Sequence, residues 1–340
     1  MVSINIEKQV SAFCARIGAD PLLVQGAGGN ASWKENSTLW IKASGAWLAN
    51  AENEEIFIPV NLAGLKSAIA NHNFSVAPEV LSDVKAKPSI ETMLHAVMPH
   101  RVVLHLHAIE VLVHLIKKDF DRCLSTAFGN LASFAVVEYR KPGAELAAAV
   151  NIILRQKPGA EVIFLKNHGI VIGGDNAIDI HRVLSSITES LAIKPMCKEA
   201  ISSIAPNLPE NFSGQYELVA DQGVQQLALD PILYKHLNSE WALYPDHVVF
   251  LGPKAHVYDS WPALTKECLR SKFFPELVFI RGEGVFARPS FTKAKLAQLR
   301  CYFDVLTRLE PDSSLAVLSN NQIAELLNWD AEQYRINLSN

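Results

Sequence analysis

Apolar residues recur at helical spacing at the start of the chain. Ile6, Val10, Phe13 and Ile17 predict an amphipathic helix over Ile6–Ile17. The run Gly26-Ala27-Gly28-Gly29-Asn30 then breaks any regular element. TLWIK (Thr38–Lys42) and EIFIPV (Glu55–Val60) have strand composition, and Ala43-Ser44-Gly45 turns the chain after the first. A helix is expected over Ser89–Met98, with Ser89 as its cap after Pro88. Arg101–His107 reads as strand, Ile109–Ile116 as helix, Ser133–Tyr139 as strand and Gly143–Leu154 as a helix opened by Pro142. EVIFL (Glu161–Leu165) is a buried-type strand, and Asn176–Ile193 reads as a long helix after a Gly173-Gly174 turn.

Around Ser202–Gly214 the pattern gives way to SSIAPNLPENFSG, which reads as a linker. Beyond it, Val248–Leu251 and Leu277–Ile280 are strand candidates, and Lys293–Leu309 and Asn321–Leu327 are helical. Residues 161–172 (EVIFLKNHGIVI) and 276–287 (ELVFIRGEGVFA) echo one another: an apolar strand, a basic residue, a glycine turn and a second apolar strand. In a true duplication His168 corresponds to Glu283.

The bulk numbers exclude several classes of function. The 340 residues are 49% hydrophobic and 19% charged, enough for one large or two modest domains. The net charge of −4 and the lack of a Lys/Arg-rich run speak against nucleic acid. The longest apolar stretches are too short to span a bilayer, and MVSINIEKQV has no basic flank leading into an apolar run. No membrane and no signal peptide are therefore expected. Five scattered cysteines (Cys14, Cys123, Cys197, Cys268, Cys301) fit reduced, buried thiols in a cytoplasmic protein.

The chemistry concentrates in histidines. In a strand, residues two apart share a face, so VVLHLHA presents His105 and His107 side by side, with Leu104 and Leu106 turned to the core. Such a pair can chelate a tetrahedral metal. His168 follows a strand and precedes Gly169, a usual place for a ligand in an α/β protein. Three histidines leave a zinc position open, the catalytic arrangement. Glu91 stands at a predicted helix start, where an acid suits both the helix dipole and general acid/base work. The Gly26–Asn30 loop and the Ala43-Ser44-Gly45 turn can offer N–H groups to an anion, though neither matches a Walker loop or GxGxxG. Asp246 and His247, neighbours in an expected strand, point opposite ways and read as structural.

Taken in order, GAGGNAS, LWIKASG, KPSIETMLHAVMPH, VVLHLHA and KNHGIVI resemble the class II aldolase/adducin family over roughly residues 5–200. The resemblance is best to the aldolase module of bifunctional aldolase/short-chain dehydrogenase proteins. It implies an α/β fold: a three-layer α/β/α sandwich over residues 1–205, with a smaller α/β domain over 215–340 of no assigned chemistry. It implies one divalent metal, zinc by preference, on His105, His107 and His168, and Glu91 as acid/base. Gly29, Asn30, Ser44, Gly45 and Ser89 then match the groups that hold a sugar phosphate.

The implied activity is that of a lyase. It cleaves a small ketose or ketose phosphate by retro-aldol chemistry through a metal-bound enediolate. Epimerisation, decarboxylation or dehydration at the same site, and an adducin-like scaffold, are the alternatives. A homo-oligomer, possibly a tetramer, acting on a small sugar-derived molecule is expected. Ile90 stands where sugar-phosphate aldolases often carry a second serine, and no GxGxxG follows a strand within the 340 residues.

Overall fold

The computed structural model describes residues 5–120, 134–196, 208–310, 312–327, 329–330, 334 and 338. In chain order the first sheet unit comprises α1 (Ile6–Gly18), β1 (Asn30–Glu35), β2 (Thr38–Lys42), β3 (Phe57–Asn61), α2 (Leu62–Ala70), α3 (Thr92–Val97) and β4 (Val102–Leu106). It continues with α4 (Ile109–Leu115), β5 (Phe134–Val137), α5 (Ala144–Gln156), β6 (Val162–Leu165), β7 (Gly169–Gly174) and α6 (Ala177–Ser190). Its strands form a seven-stranded sheet in the order β3-β2-β1-β4-β7-β6-β5. All neighbours are antiparallel except β5 and β6.

Alternation along the strands makes this a three-layer structure. Leu104, Leu106, Ile170 and Ile172 face one side and pack under α1 and α6. Val103, Ile163, Leu165 and Val171 face the other, under α2, α3 and α5. Both faces are covered, so the central strands carry apolar residues at consecutive positions. Asn5 caps α1 by accepting from Glu7 N at 2.9 Å, and Asn176 caps α6 by accepting from the N–H groups of Ile178 and Asp179.

The second unit comprises β8 (Glu217–Leu218), α7 (Gln222–Leu229), α8 (Pro231–Ser239), α9 (Pro245–Leu251), β9 (Val257–Tyr258) and α10 (Trp261–Ser271), followed by β10 (Leu277–Ile280), β11 (Gly284–Ala287), α11 (Lys293–Leu306) and α12 (Asn320–Leu327). Its four-stranded sheet runs β8-β11-β10-β9. That order repeats β4-β7-β6-β5, including the single parallel pair. The echo in the sequence is thus the visible part of a larger structural repeat. The hairpins superpose in register: Leu165 pairs with Gly169 as Ile280 pairs with Gly284. Asn167 and Gly282 hold the same turn position at φ of 53° and 71°. In this register Leu218, Ala220 and Glu283 stand where the first unit has His105, His107 and His168, so the histidine set belongs to one copy only.

The two units share a core. Ile109, Leu112 and Val113 from α4, with Ile116 at its C-cap, pack among Leu299, Phe303, Leu306 and Leu315. Arg308 Nε donates to Glu110 Oε1 at 3.0 Å, and Asn167 Nδ2 donates to the carbonyls of Leu243 and Ala316.

Three expectations fail locally. Val248–Leu251 is not a strand but the second half of helix α9. Pro245 at the first helical position, with its φ already set, opens that helix, and a four-residue apolar run fits a buried helix as well as a strand. Ser89 does not cap a helix from 89: α3 begins at Thr92 with Glu91 at its N-cap, and Ser89 Oγ instead accepts from Glu91 N at 3.2 Å. The glycines 173 and 174 end β7 and make no separate turn. The linker expectation falls partly on residues 202–207, outside the described residues.

Candidate functional site

Strand β4 ends one residue before His107, and its neighbours β1 and β7 close it on both sides. His105 sits in the strand opposite Asn30 and Val171, fully buried. Its Nδ1 lies 3.1 Å from Ile170 O. A carbonyl only accepts, so Nδ1 carries the proton and Nε2 is left as a lone-pair donor. Burial pushes the His105 pKa down, against an upward pull from Glu91, and favours the neutral ring that can bind a cation.

His105 Nε2 and His107 Nε2 lie 3.1 Å apart. Two nitrogens each about 2.0–2.1 Å from one tetrahedral zinc are separated by roughly 3.3 Å, so the pair is near the spacing of a chelate edge. His168 comes from the tight β6–β7 turn. Its ring lies 4.8 Å from that of His105 and 5.3 Å from that of His107, centroid to centroid. One ligand atom from each of the three lies within 4.8 Å of the others. Gly169 is what lets this turn sit against the end of β4. A Cβ there would stand 2.3 Å from Leu106 O and 3.0 Å from the His107 ring.

Glu91 bridges the cluster. Oε2 lies 3.4 Å from His105 Nε2 and accepts from Asn30 Nδ2 at 2.7 Å. Oε1 lies 3.5 Å from His168 Nε2 and, although buried, accepts no hydrogen bond among the described residues. Three imidazoles and a carboxylate oxygen turned toward them form a donor set that suits a borderline cation such as Zn²⁺.

A small cavity opens onto this cluster, lined among others by Gly29, Asn30, Ser44, Gly45, Ser89 and Glu91. Every residue singled out from the sequence as ligand, acid or anion-holding group therefore converges here, with His105 just behind the wall. Ile90 lines the same cavity.

Two charged residues of this site were not assigned to it from the sequence: Lys42 was not singled out, and Asp246, read as structural, in fact lines the site. Lys42, 1% exposed, lines the cavity and donates from Nζ to the carbonyls of Ala27 at 3.0 Å and Ala46 at 2.6 Å. The available signal was a lysine closing an otherwise apolar strand directly before a turn. Asp246, from α9 of the second unit, lies with Oδ2 3.3 Å from His107 Nδ1. A helix start at Pro245 was legible, but the contact across 139 positions was not. His247 does take the structural role expected of it, buried against the rings of Trp241, Tyr244 and Tyr302.

Comparison with known proteins places the chain in a family. Residues 8–194, more than half of it, match the model of the class II aldolase and adducin N-terminal domain, and the chain belongs to that family. It is 25% identical over 189 residues to the uncharacterized oxidoreductase YuxG of Bacillus subtilis, a match that covers 51% of this chain and 27% of that protein. It is also 25% identical over 181 residues to an L-fuculose phosphate aldolase of Methanocaldococcus jannaschii, covering 52% of this chain and 87% of the relative. The N-terminal class II aldolase domain of a conserved protein from Thermoplasma acidophilum aligns at TM-score 0.48 and 24% identity, over 56% of this chain and 93% of that one. No helix among the described residues is long and apolar enough to cross a membrane.

Proposed function

We propose that this chain is a metal-dependent lyase of the class II aldolase type, cleaving a small ketose or ketose phosphate between two hydroxylated carbons. The observation that carries the reading is the convergence of His105, His107 and His168, from two separate chain segments, around one point beside Glu91. An adducin-like scaffold has no use for a buried three-histidine cluster opening onto a cavity. The family match and the M. jannaschii aldolase supply the reaction class.

His105, His107 and His168 hold the cation, zinc by preference. When bound, it supplies Lewis-acid polarisation of a substrate carbonyl and its neighbouring hydroxyl. Glu91 takes a proton from the substrate hydroxyl and returns one to the departing fragment. Asn30 orients Glu91 through its 2.7 Å hydrogen bond and so sets which lone pair faces substrate. Gly29, Ser44, Gly45 and Ser89 line the cavity and bind an anionic or hydroxylated terminus. Lys42 adds a positive charge to that wall. Ile90 offers no hydroxyl there, so a phosphate is held by fewer groups than a Ser-Ser pair allows.

We assign residues 1–205 to the catalytic unit and 215–340 to the second unit, and expect a homo-oligomer in the cytoplasm. The test is purified protein, analysed for metal, against a panel of ketose 1-phosphates and free ketoses including L-fuculose 1-phosphate. Release of an aldehyde and a dihydroxyacetone-type product, lost on chelation and restored by Zn²⁺, is the expected result. Metal-loaded protein that epimerises or decarboxylates related sugar acids without cleaving ketoses would replace the lyase reading.

A further inference from the structure

We infer that the second unit completes the metal centre, with Asp246 the positioning residue that holds His107 in its metal-binding tautomer. The inference rests on the proposed ligand role of His107 and goes beyond it, because residue 246 lies outside the matched family domain, which ends at residue 194.

Each ring nitrogen of a ligating histidine has one task, and the group bound to the outer nitrogen decides which nitrogen meets the metal. For His105 that outer partner is the Ile170 carbonyl, supplied by the sheet itself. His107 lies beyond the end of β4 and has no such ladder partner. Its inner nitrogen, Nε2, faces His105 Nε2 at 3.1 Å, and its outer nitrogen, Nδ1, faces Asp246 Oδ2 at 3.3 Å. A carboxylate there accepts a hydrogen bond from Nδ1–H and leaves the Nε2 lone pair for the cation.

The surroundings are built for this contact. Asp246 is 3% exposed, in the first turn of α9, and Gln298 of α11 donates from Nε2 to both Asp246 Oδ2 and Gln25 O at 3.4 Å. The Gly26–Asn30 loop passes alongside with no side chain in the way. A Cβ on Gly28 would come within 3.3 Å of Asp246 Oδ2 and 3.4 Å of His107 Nδ1. The second unit carries Leu218, Ala220 and Glu283 where the first has its histidines, yet contributes a carboxyl group to the site of the first.

The test is the Zn²⁺ affinity of full-length protein, by competition with a chromophoric chelator, for wild type, Asp246→Asn and Asp246→Glu. Removing an outer carboxylate typically weakens metal binding about 10–100-fold. We expect a loss in that range for Asp246→Asn at unchanged thermal stability of the metal-free protein, with partial recovery in Asp246→Glu. Unchanged affinity in Asp246→Asn would overturn the inference while leaving the ligand set intact. A wild type that binds no zinc would instead remove the reading beneath it. Should the variant fail to fold, ¹⁵N spectra of the zinc-loaded wild type still decide. A protonated Nδ1 on His107 is expected, and zinc on that nitrogen would refute the inference.

Discussion

Asn30 and Glu91, 61 positions apart, meet through a 2.7 Å hydrogen bond from Asn30 Nδ2 to Glu91 Oε2, because β1 carries Asn30 opposite His105 while the α3 start brings Glu91 over the same strand. The family resemblance implied a phosphate contact for Asn30 and proton transfer for Glu91. In the fold the two act on one another. A hydrogen bond to an ionised group contributes about 1.5–3 kcal/mol, on the order of 10–150-fold in rate where it sets the geometry of the transition state. Asn30→Ala is expected to lower kcat by that factor with metal content unchanged. Steady-state kinetics beside elemental analysis check it, and loss of metal would count against the assignment.

Glu91→Gln keeps size and the reach to Asn30 but removes the proton acceptor. Turnover should fall by roughly 10²–10⁴ while zinc stoichiometry holds, the ordinary range for losing a general acid/base. Full activity in this variant would move the proton transfer to another group.

The stability of the chain should fall on mild acidification, and His247 shows why. It is fully buried among Trp241, Tyr244 and Tyr302, and burial lowers its pKa to about 3. Above about pH 6.5 neither the folded nor the unfolded form of this residue carries a proton. Below that value the unfolded chain binds one and the native state does not. Each further unit down toward pH 3 then costs up to about 1.4 kcal/mol of stability. His247→Phe is expected to flatten the pH dependence of the urea midpoint between pH 6 and 4. An unchanged slope would show that other groups dominate it.

The two units are tied by a partly buried ion pair, and breaking one side should be worse than removing both. Glu110 accepts from Arg308 Nε at 3.0 Å and from Ile193 N at 2.9 Å, and the Arg308 side chain is 6% exposed. Glu110→Ala takes one partner from the buried Arg308 guanidinium, which keeps its contacts to Asp304, and should cost about 1.5–3 kcal/mol. Glu110→Ala with Arg308→Leu should recover part of that loss in a double-mutant cycle. Additive costs would mean that the pair contributes little.

How much of this was legible in the chain differs from element to element. The central strands announced themselves because both faces are covered, so VVLHL and EVIFL read as apolar runs. The histidines were legible for a local reason: period two puts His105 and His107 together, and a glycine after His168 marks a turn at a strand end. The four-residue run VVFL has no period long enough to separate helix from strand, and α9 was misread there. The roles of Asp246 and of the Asn30–Glu91 pair depend on contacts between distant segments, which no spacing rule encodes. The repeat was visible only as its hairpin, since the strands around it are two residues long in the second copy.

The most direct measurement is the metal content of purified His105→Ala beside wild type, by elemental analysis after dialysis against metal-free buffer. The account predicts one divalent ion per wild-type chain, zinc by preference, and none in the variant, with the variant still folded by circular dichroism. Full occupancy in His105→Ala would contradict it, because a cation that survives the loss of the most deeply buried ring is not held by these three imidazoles.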